Sequence, residues 1–228
     1  RMIAAIIAGE KICVFGDYDV DGATSSALLI RFCCSIGTNI TYYIPDRLKE
    51  GYGPNSAAMQ QLAKDGVKVV ITVDCGITAH EPLDVIVLDH HAGEPQLPPA
   101  AAVVNPNRID ETSKHRHMAA VGVTFLFLVA LNNKLREQGY YEGKQAPDLM
   151  SELDIVALGT VCDVVPLTGV NRAFVRQGLR VMSNSKNVGI NALLNVARNK
   201  GAADTYTAGF VLGPRVNAGG RVGKSDLG

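Results

Sequence analysis

Three carboxylates stand at alternate positions in Val14-Phe15-Gly16-Asp17-Tyr18-Asp19-Val20-Asp21-Gly22-Ala23-Thr24, flanked by glycines, just where a strand-like run gives way to a helix-like one. Crowded in this way, Asp17, Asp19 and Asp21 repel one another unless cations hold them. Other apolar runs end in groups that packing cannot use. Val69-Val70-Ile71-Thr72-Val73 leads into Asp74-Cys75-Gly76, and Val85-Ile86-Val87-Leu88 leads into Asp89-His90-His91. Asp163 sits between Val161-Cys162 and Val164-Val165, where an unpaired carboxylate would be expensive, so it should be paired or bound to a metal. Imidazole beside carboxylate suits Mn²⁺, Zn²⁺ or iron, whereas an all-oxygen shell favours Mg²⁺.

Each signal alone has an ordinary reading: a solvated Asp-rich loop, or a histidine pair with one ring capping a carbonyl. Together they bring six carboxylates and two imidazoles to one edge of a sheet, which is a dinuclear metal site. Two divalent ions roughly 3.5–4 Å apart there would activate a nucleophile and neutralise phosphoryl oxygens in an in-line displacement. No covalent intermediate with the protein is then needed. The Asp-x-Asp-x-Asp-Gly string fails as an EF-hand, because Leu28 stands where the loop's last glutamate belongs and a strand precedes it. A phosphate-cradling Gly-x-x-x-x-Gly-Lys loop and a Gly-x-Ser-x-Gly elbow are both missing from the sequence, which argues against a nucleotide-driven motor and a serine esterase.

The elements that must position these groups alternate along the first half. Lys11–Gly16, Thr38–Ile44, Val67–Asp74, Asp84–Asp89 and Ala101–Val104 are candidate strands, rich in Val and Ile and mostly not alternating, as strands buried on both faces should be. Helices are expected near Ala23–Ile36 and Pro54–Lys64. The fold class is therefore α/β, a doubly wound, mainly parallel five-stranded sheet with flanking helices, followed by a helical segment. Long helices are expected over Met118–Glu137, Pro147–Val161, Asn171–Met182 and Gly189–Asn199, ahead of a glycine-rich tail. We divide the chain into an α/β metal-binding core, 1–116, and a helical continuation, 117–228, which carries Asp163 and a basic tail and forms one catalytic lobe with the core.

With 47% hydrophobic residues among 228, the chain can bury a substantial core. No apolar run approaches the ~18 residues of a membrane span, and no signal pattern opens the sequence, so no membrane partner and a cytoplasmic location are expected. Cys13, Cys33, Cys34, Cys75 and Cys162 form no Cys-x-x-Cys pair and read as buried free thiols. Net charge is zero, yet after Asp163 come nine cations, Arg172 to Lys224, against Asp204 and Asp226 alone, a segment that could face a polyanion or simply be a solvated helical surface.

Taken in order, Gly-Asp-Tyr-Asp-Val-Asp-Gly at 16–22, Val-Asp-Cys-Gly at 73–76, Asp-His-His at 89–91 and Cys-Asp-Val-Val-Pro-Leu at 162–167 resemble the motifs of the DHH phosphoesterase superfamily. That superfamily includes pyrophosphatases, oligonucleotide and pAp phosphatases and cyclic dinucleotide phosphodiesterases, so the metal motifs do not select a substrate. Residues 44–53, Val104-Asn105-Pro106-Asn107, and Gly213-Pro214-Arg215-Val216-Asn217-Ala218-Gly219-Gly220-Arg221 resemble its RecJ-like branch. The resemblance implies a two-metal 5′-to-3′ exonuclease on single-stranded DNA, serving DNA repair and recombination, with Mn²⁺ or Mg²⁺ as cofactor. A small-substrate phosphatase, or a catalytically silent scaffold, are the alternatives.

By motif, the resemblance places Asp19 and Asp74 on one metal and Asp21, Asp74, His90 and Asp163 on the other, with Asp74 as the bridge. Asp17 is implied as a water-mediated ligand or an orienting partner, Asp89 as the group that orients a histidine, and His91 as the residue at the scissile phosphate. Arg47, Arg215, Arg221 and Asn217 are implied as phosphate contacts. A single-strand-binding protein and a helicase are implied as partners. The branch ordinarily continues into DHH-associated and OB-fold domains, so a chain that opens on Arg1 and stops at Gly228 is read as a catalytic-core fragment.

Overall fold

The computed structural model describes residues 1–75, 83–93, 95–199, 201–221 and 224–228, without the side chains of Arg47 and Leu48. In chain order the elements are α1 (Met2–Ala8), β1 (Ile12–Gly16), α2 (Val20–Ser35), β2 (Ile40–Tyr43), α3 (Arg47–Glu50), α4 (Ser56–Lys64), β3 (Val69–Val73), β4 (Asp84–Leu88) and β5 (Ala102–Val104). The helical half follows: α5 (Ala120–Glu137), a 3₁₀ turn (Leu149–Glu152), α6 (Leu153–Cys162), α7 (Gly169–Met182), α8 (Val188–Val196), a π-helical turn (Thr207–Leu212) and α9 (Gly213–Gly219).

The five strands pair in parallel in the order β2-β1-β3-β4-β5. All five residues of β1 and of β3 are buried, which their Val- and Ile-rich composition requires of central strands covered on both sides. Side chains alternate faces, so each strand feeds two cores. Ile12, Val14, Val69, Ile71, Val73, Ile86 and Leu88 pack with α1, α2, α5 and α6, while Cys13, Phe15, Val70, Val85 and Val87 pack beneath α4. The larger core runs unbroken from the sheet through α5 and α6 to Leu212 and Val216 of the tail.

Register does the positioning. Gly16 pairs with Val73 and Val73 with Leu88, so the next residue of each strand, Asp17, Asp74 and Asp89, falls in one row at the carboxyl edge. β2 and β3 flank β1 on opposite sides, so the first strand lies where the sheet's winding reverses, the place where open α/β sheets bind ligands.

All five expected strands form, each trimmed by one or more residues. The helices differ in detail. α1 was not foreseen; α2 begins at Val20, three residues early, which puts Asp21 inside its first turn; and Pro147–Val161 divides into the 3₁₀ turn, capped by Asp148, and α6. The glycine-rich tail, given no secondary structure in the sequence reading, is helical over α9. Those glycines permit contact: a Cβ at Gly213 would stand 2.5 Å from Cys162 Sγ, and one at Gly220 would stand 2.8 Å from the Tyr18 ring. Among the cysteines, Cys34 is exposed and Cys162 half-buried, because they lie at the ends of α2 and α6 rather than inside the cores.

Candidate metal centre

β1, β3 and β4 deliver their acids to one edge, but the three acids in the row are used differently. Asp17 Oδ1 accepts from the Tyr18 amide at 2.8 Å, and Asp89 Oδ1 accepts from the His90 and His91 amides at 2.7 and 3.3 Å. Both therefore shape the loops that follow their strands. Asp74 instead takes the left-handed conformation, φ 53°, which Asp tolerates better than most residues. The turn leaves its Oδ1 fully buried with no hydrogen-bond partner. The Tyr52 hydroxyl donates to the Asp74 carbonyl at 3.1 Å and holds that turn from the opposite side.

Asp19 and Asp21 reach the site from the start of α2. Asp19 accepts from the Gly22 amide at 2.9 Å, capping α2, and lies within hydrogen-bond reach of Asp74. Asp21 is 3% exposed and caps a different helix: its oxygens accept from the Ala120 and Val121 amides, the first two of α5, at 2.6 and 2.9 Å. The positive ends of two helices thus converge on the acids. Asp163 ends α6, which approaches α2 across Gly159, where a Cβ would meet Thr24 Oγ1 at 2.3 Å and Asp21 Oδ1 at 3.2 Å.

His90 stands between these groups. Its Nε2 lies 3.3 Å from Asp74 Oδ1 and 3.8 Å from Asp21 Oδ2, and its Nδ1 lies 3.7 Å from Asp163 Oδ2. The donor atoms form two overlapping groups, Asp74-His90-His91 and Asp21-His90-Asp163, each compact enough to hold one ion. The residue the two groups share is His90. Asp17 belongs to neither, and Asp19 stands beside them at Asp74 and at the cap of α2.

Three buried side-chain atoms here have no hydrogen-bond partner: Asp74 Oδ1, His90 Nε2 and Asp163 Oδ2. Leaving one such atom unsatisfied costs about 1–3 kcal/mol, and more for a charged group. Charge tells the same story. Burial, with Asp163 nearby, pushes Asp21 up to about 7, and burial, with Asp21 and Asp19, pushes Asp74 up to about 11. Burial raises Asp163 as well. These carboxylates cannot all ionise side by side without cations, and mixed carboxylate and imidazole donors suit a divalent transition ion.

His91 is half exposed, and its Nδ1 lies 2.8 Å from Asp89 Oδ1, a contact that raises the imidazole to about 9. Burial would raise Asp89, but the bonds from His91 and from the two amides hold it below the ordinary carboxylate range. The Asn105 and Asn107 side chains donate to the carbonyls of His91 and His90 at 2.9 and 2.5 Å, fixing the His-His loop to the end of β5. Sequence reading marked this Asn-Pro-Asn stretch and Tyr52 as motif without giving either a role.

Of the expected phosphate contacts, the side chain of Arg47 lies outside the described residues; Gly76 of the Val-Asp-Cys-Gly motif and Lys200 of the basic segment also lie outside them. Arg215 and Arg221 are exposed, and Arg215 Nη1 donates to the Val211 carbonyl at 2.5 Å. Asn217 Oδ1 is buried without a partner.

A profile of the DHH family, N-terminal domain, matches residues 11–160. The chain belongs to the DHH family. The match takes in every strand and stops within α6, three residues short of Asp163. The single-stranded-DNA-specific exonuclease RecJ of Dickeya dadantii (strain 3937) is 40% identical over 98% of this chain, which spans 41% of that protein's length. A crystal structure of exonuclease RecJ bound to manganese superposes with a TM-score of 0.85 at 34% identity, over 99% of this chain and 57% of that one. RecJ from Thermus thermophilus in complex with Mn²⁺ gives 0.78 at 32% identity, over 99% of this chain and 32% of that one. Among the described residues of this DHH-family chain, no helix is long and apolar enough to cross a membrane.

Proposed function

We propose that this chain is the catalytic core of a metal-dependent phosphodiesterase that removes nucleotides from single-stranded DNA, 5′ to 3′. The observation that carries it is the set of unpartnered buried atoms on Asp74, His90 and Asp163, at the carboxyl edge of a sheet shared with RecJ exonucleases. Asp19, Asp21, Asp74, His90 and Asp163 would hold two divalent ions, Mn²⁺ or Mg²⁺, with Asp17 ordering the loop that presents them. The ions, when bound, supply an acidified water as nucleophile and neutralise phosphoryl charge.

The remaining steps belong to the chain's own side chains. His91, kept protonated by Asp89, faces solvent beside Asp74 and donates to the oxygens of the scissile phosphate as negative charge develops. Arg215 and Arg221, with Arg47 and Asn217, would hold neighbouring phosphates, the guanidinium fork matching them better than an ammonium does. The segments 1–116 and 117–228 act as one lobe, supported by the core they share and by the ligands each contributes. DNA repair and recombination, a cytoplasmic setting, and a single-strand-binding protein and a helicase as partners belong to the same proposal and rest on the family resemblance.

The test is degradation of a 5′-labelled single strand, its duplex and a phosphorylated dinucleotide in Mn²⁺, beside Asp74→Ala. Preferential loss of the single strand, absent in the variant, is expected. Turnover of the dinucleotide alone would replace this reading with a small-substrate phosphatase, and failure to bind Mn²⁺ would leave only a scaffold.

A further inference from the structure

Asp21 and Asp163 belong to the same ligand group, yet they come from different helices, and each depends on the backbone beside it. After Asp163 the chain cannot continue as a helix. Val165 precedes Pro166, which disfavours helical geometry, and Val164 is held at φ 59°, a conformation a β-branched residue adopts only under constraint. The Val164 side chain is 86% exposed, so its own packing does not impose that constraint. On the other side of the group, Asp21 is bonded by the Ala120 and Val121 amides, so its place follows that of the segment His117-Met118-Ala119 that leads into α5.

One side chain reaches both segments. Asn171, in the first turn of α7 and 2% exposed, donates through Nδ2 to the His117 carbonyl at 2.5 Å and to the Pro166 carbonyl at 3.1 Å. A primary amide carries two donor hydrogens, so both are spent here. His117 stands three residues before Ala120, and Pro166 three residues after Asp163. The helix that carries Asn171 is itself fixed to both neighbours. The Phe174 and Phe125 rings meet edge to face with centroids 5.1 Å apart, joining α7 to α5. A Cβ at Gly178 would lie 2.1 Å from the Leu153 carbonyl oxygen, so α7 also presses on the start of α6. Steadying the turn after α6 needs only the bond to Pro166; the bond to His117 ties that turn to the entry of α5.

We infer that Asn171 is a positioning residue for the ion of the Asp21-His90-Asp163 group: its amide holds the strained reversal after Asp163 against the entry of α5 and so sets the separation of Asp163 from Asp21. This rests on the two-metal reading above and adds to it a residue outside the ligand set. Strain at Val164 makes it testable, because glycine takes the left-handed conformation freely and would need no such hold.

Mn²⁺ uptake by metal-free protein is followed by calorimetry in wild type, in Asn171→Ala, which removes both donors, and in Asn171→Asp, which keeps the shape with at most one donor. Asp163→Asn marks the phase of the isotherm that belongs to this ion, and Val164→Gly is added to wild type and to Asn171→Ala. In both Asn171 variants that phase is expected to weaken by about 10- to 100-fold, as loss of an orienting partner does, while the other phase stays within about twofold. Val164→Gly should return most of the lost affinity to Asn171→Ala and change little in wild type. Melting temperatures of the metal-free proteins report folding. Equal weakening of both phases in step with melting temperature, no weakening of either, or no recovery with Val164→Gly overturns the role of Asn171 and leaves the metal centre standing. If wild type takes up fewer than two ions, the two-metal reading itself falls.

Discussion

At the sheet edge, polar atoms are buried and short of partners; along the tail, cations are exposed, and Arg215 already donates to the π-helical turn before its helix. The edge is rigid because its loops are bonded internally by Asp17, Asp89, Asn105 and Asn107, and it is strained because three ligand atoms are left unsatisfied. That is an arrangement for small, strongly charged cations. The tail has one such atom, Asn217 Oδ1, and otherwise offers exposed area and charge, which suit a long, repeating polyanion. On the proposed function, chemistry and grip would be built by opposite means, and substitutions should separate them.

The sharpest separation is expected from Asp74→Asn. Asn tolerates the left-handed backbone and is neutral without the proton uptake that burial forces on Asp74, so the metal-free protein should melt no lower than wild type. Phosphodiester hydrolysis should nevertheless fall on the order of 1,000-fold or more, in a single-turnover assay with Mn²⁺. Retained hydrolysis would show that the buried edge is not the reaction centre.

Metal removal should affect stability in a pH-dependent way. Asp21, Asp74 and Asp163 all have folded-state pKa values above their unfolded ones. Their contribution is therefore present below the ordinary carboxylate range and is lost as pH rises through the folded values, near 7 for Asp21. Calorimetry of chelator-treated protein should show the melting temperature falling from pH 5 to pH 8. Mn²⁺ should restore more at pH 8 than at pH 5, the stabilisation at pH 8 being about 2.7 kcal/mol when the ion is at a hundredfold excess over its Kd there. A flat profile without metal would mean that the acids are not in electrostatic conflict.

A smaller effect is expected at Gly159→Ala, whose methyl would overlap Thr24 and crowd Asp21. The cost of forcing α6 from α2 should be about 1–3 kcal/mol, read as a melting temperature lower by roughly 2–10 °C, with Mn²⁺ affinity falling alongside because Asp21 and Asp163 move apart. Asp89→Asn should leave the fold intact and lower the His91 pKa from about 9 towards its ordinary value, visible by imidazole NMR titration of metal-free protein. An unchanged titration would reassign the cause of the shift. Least of all, Arg215→Ala should weaken single-strand binding a few-fold and reduce its salt slope by about one, without touching Mn²⁺ affinity.

Much of the edge was legible because buried Val- and Ile-rich strands have no packing use for Asp74, Asp89 or His90, and because parallel register carries strand ends into one row. The division of labour within Asp17, Asp19 and Asp21 was not legible. Alternation reads as one strand face, but α2 begins at Val20, and the change of period from two to 3.6 sends Asp21 to α5 while Asp17 stays behind to order its own loop. Distances were not legible either, since sequence names potential ligands but not how far apart they stand. The tail glycines read as room for a ligand's approach, but composition does not say which neighbour comes close, and at Gly213 and Gly220 it is Cys162 and Tyr18.

Asp21 has one more consequence. Its carboxylate receives the first two amide hydrogens of α5, a helix with no side-chain cap of its own. Protonation of Asp21, or withdrawal of its charge towards a cation, changes how firmly those hydrogens are held. Deuterium uptake at Ala120 and Val121 is therefore a label-free gauge of occupancy, read in a segment where no ligand resides.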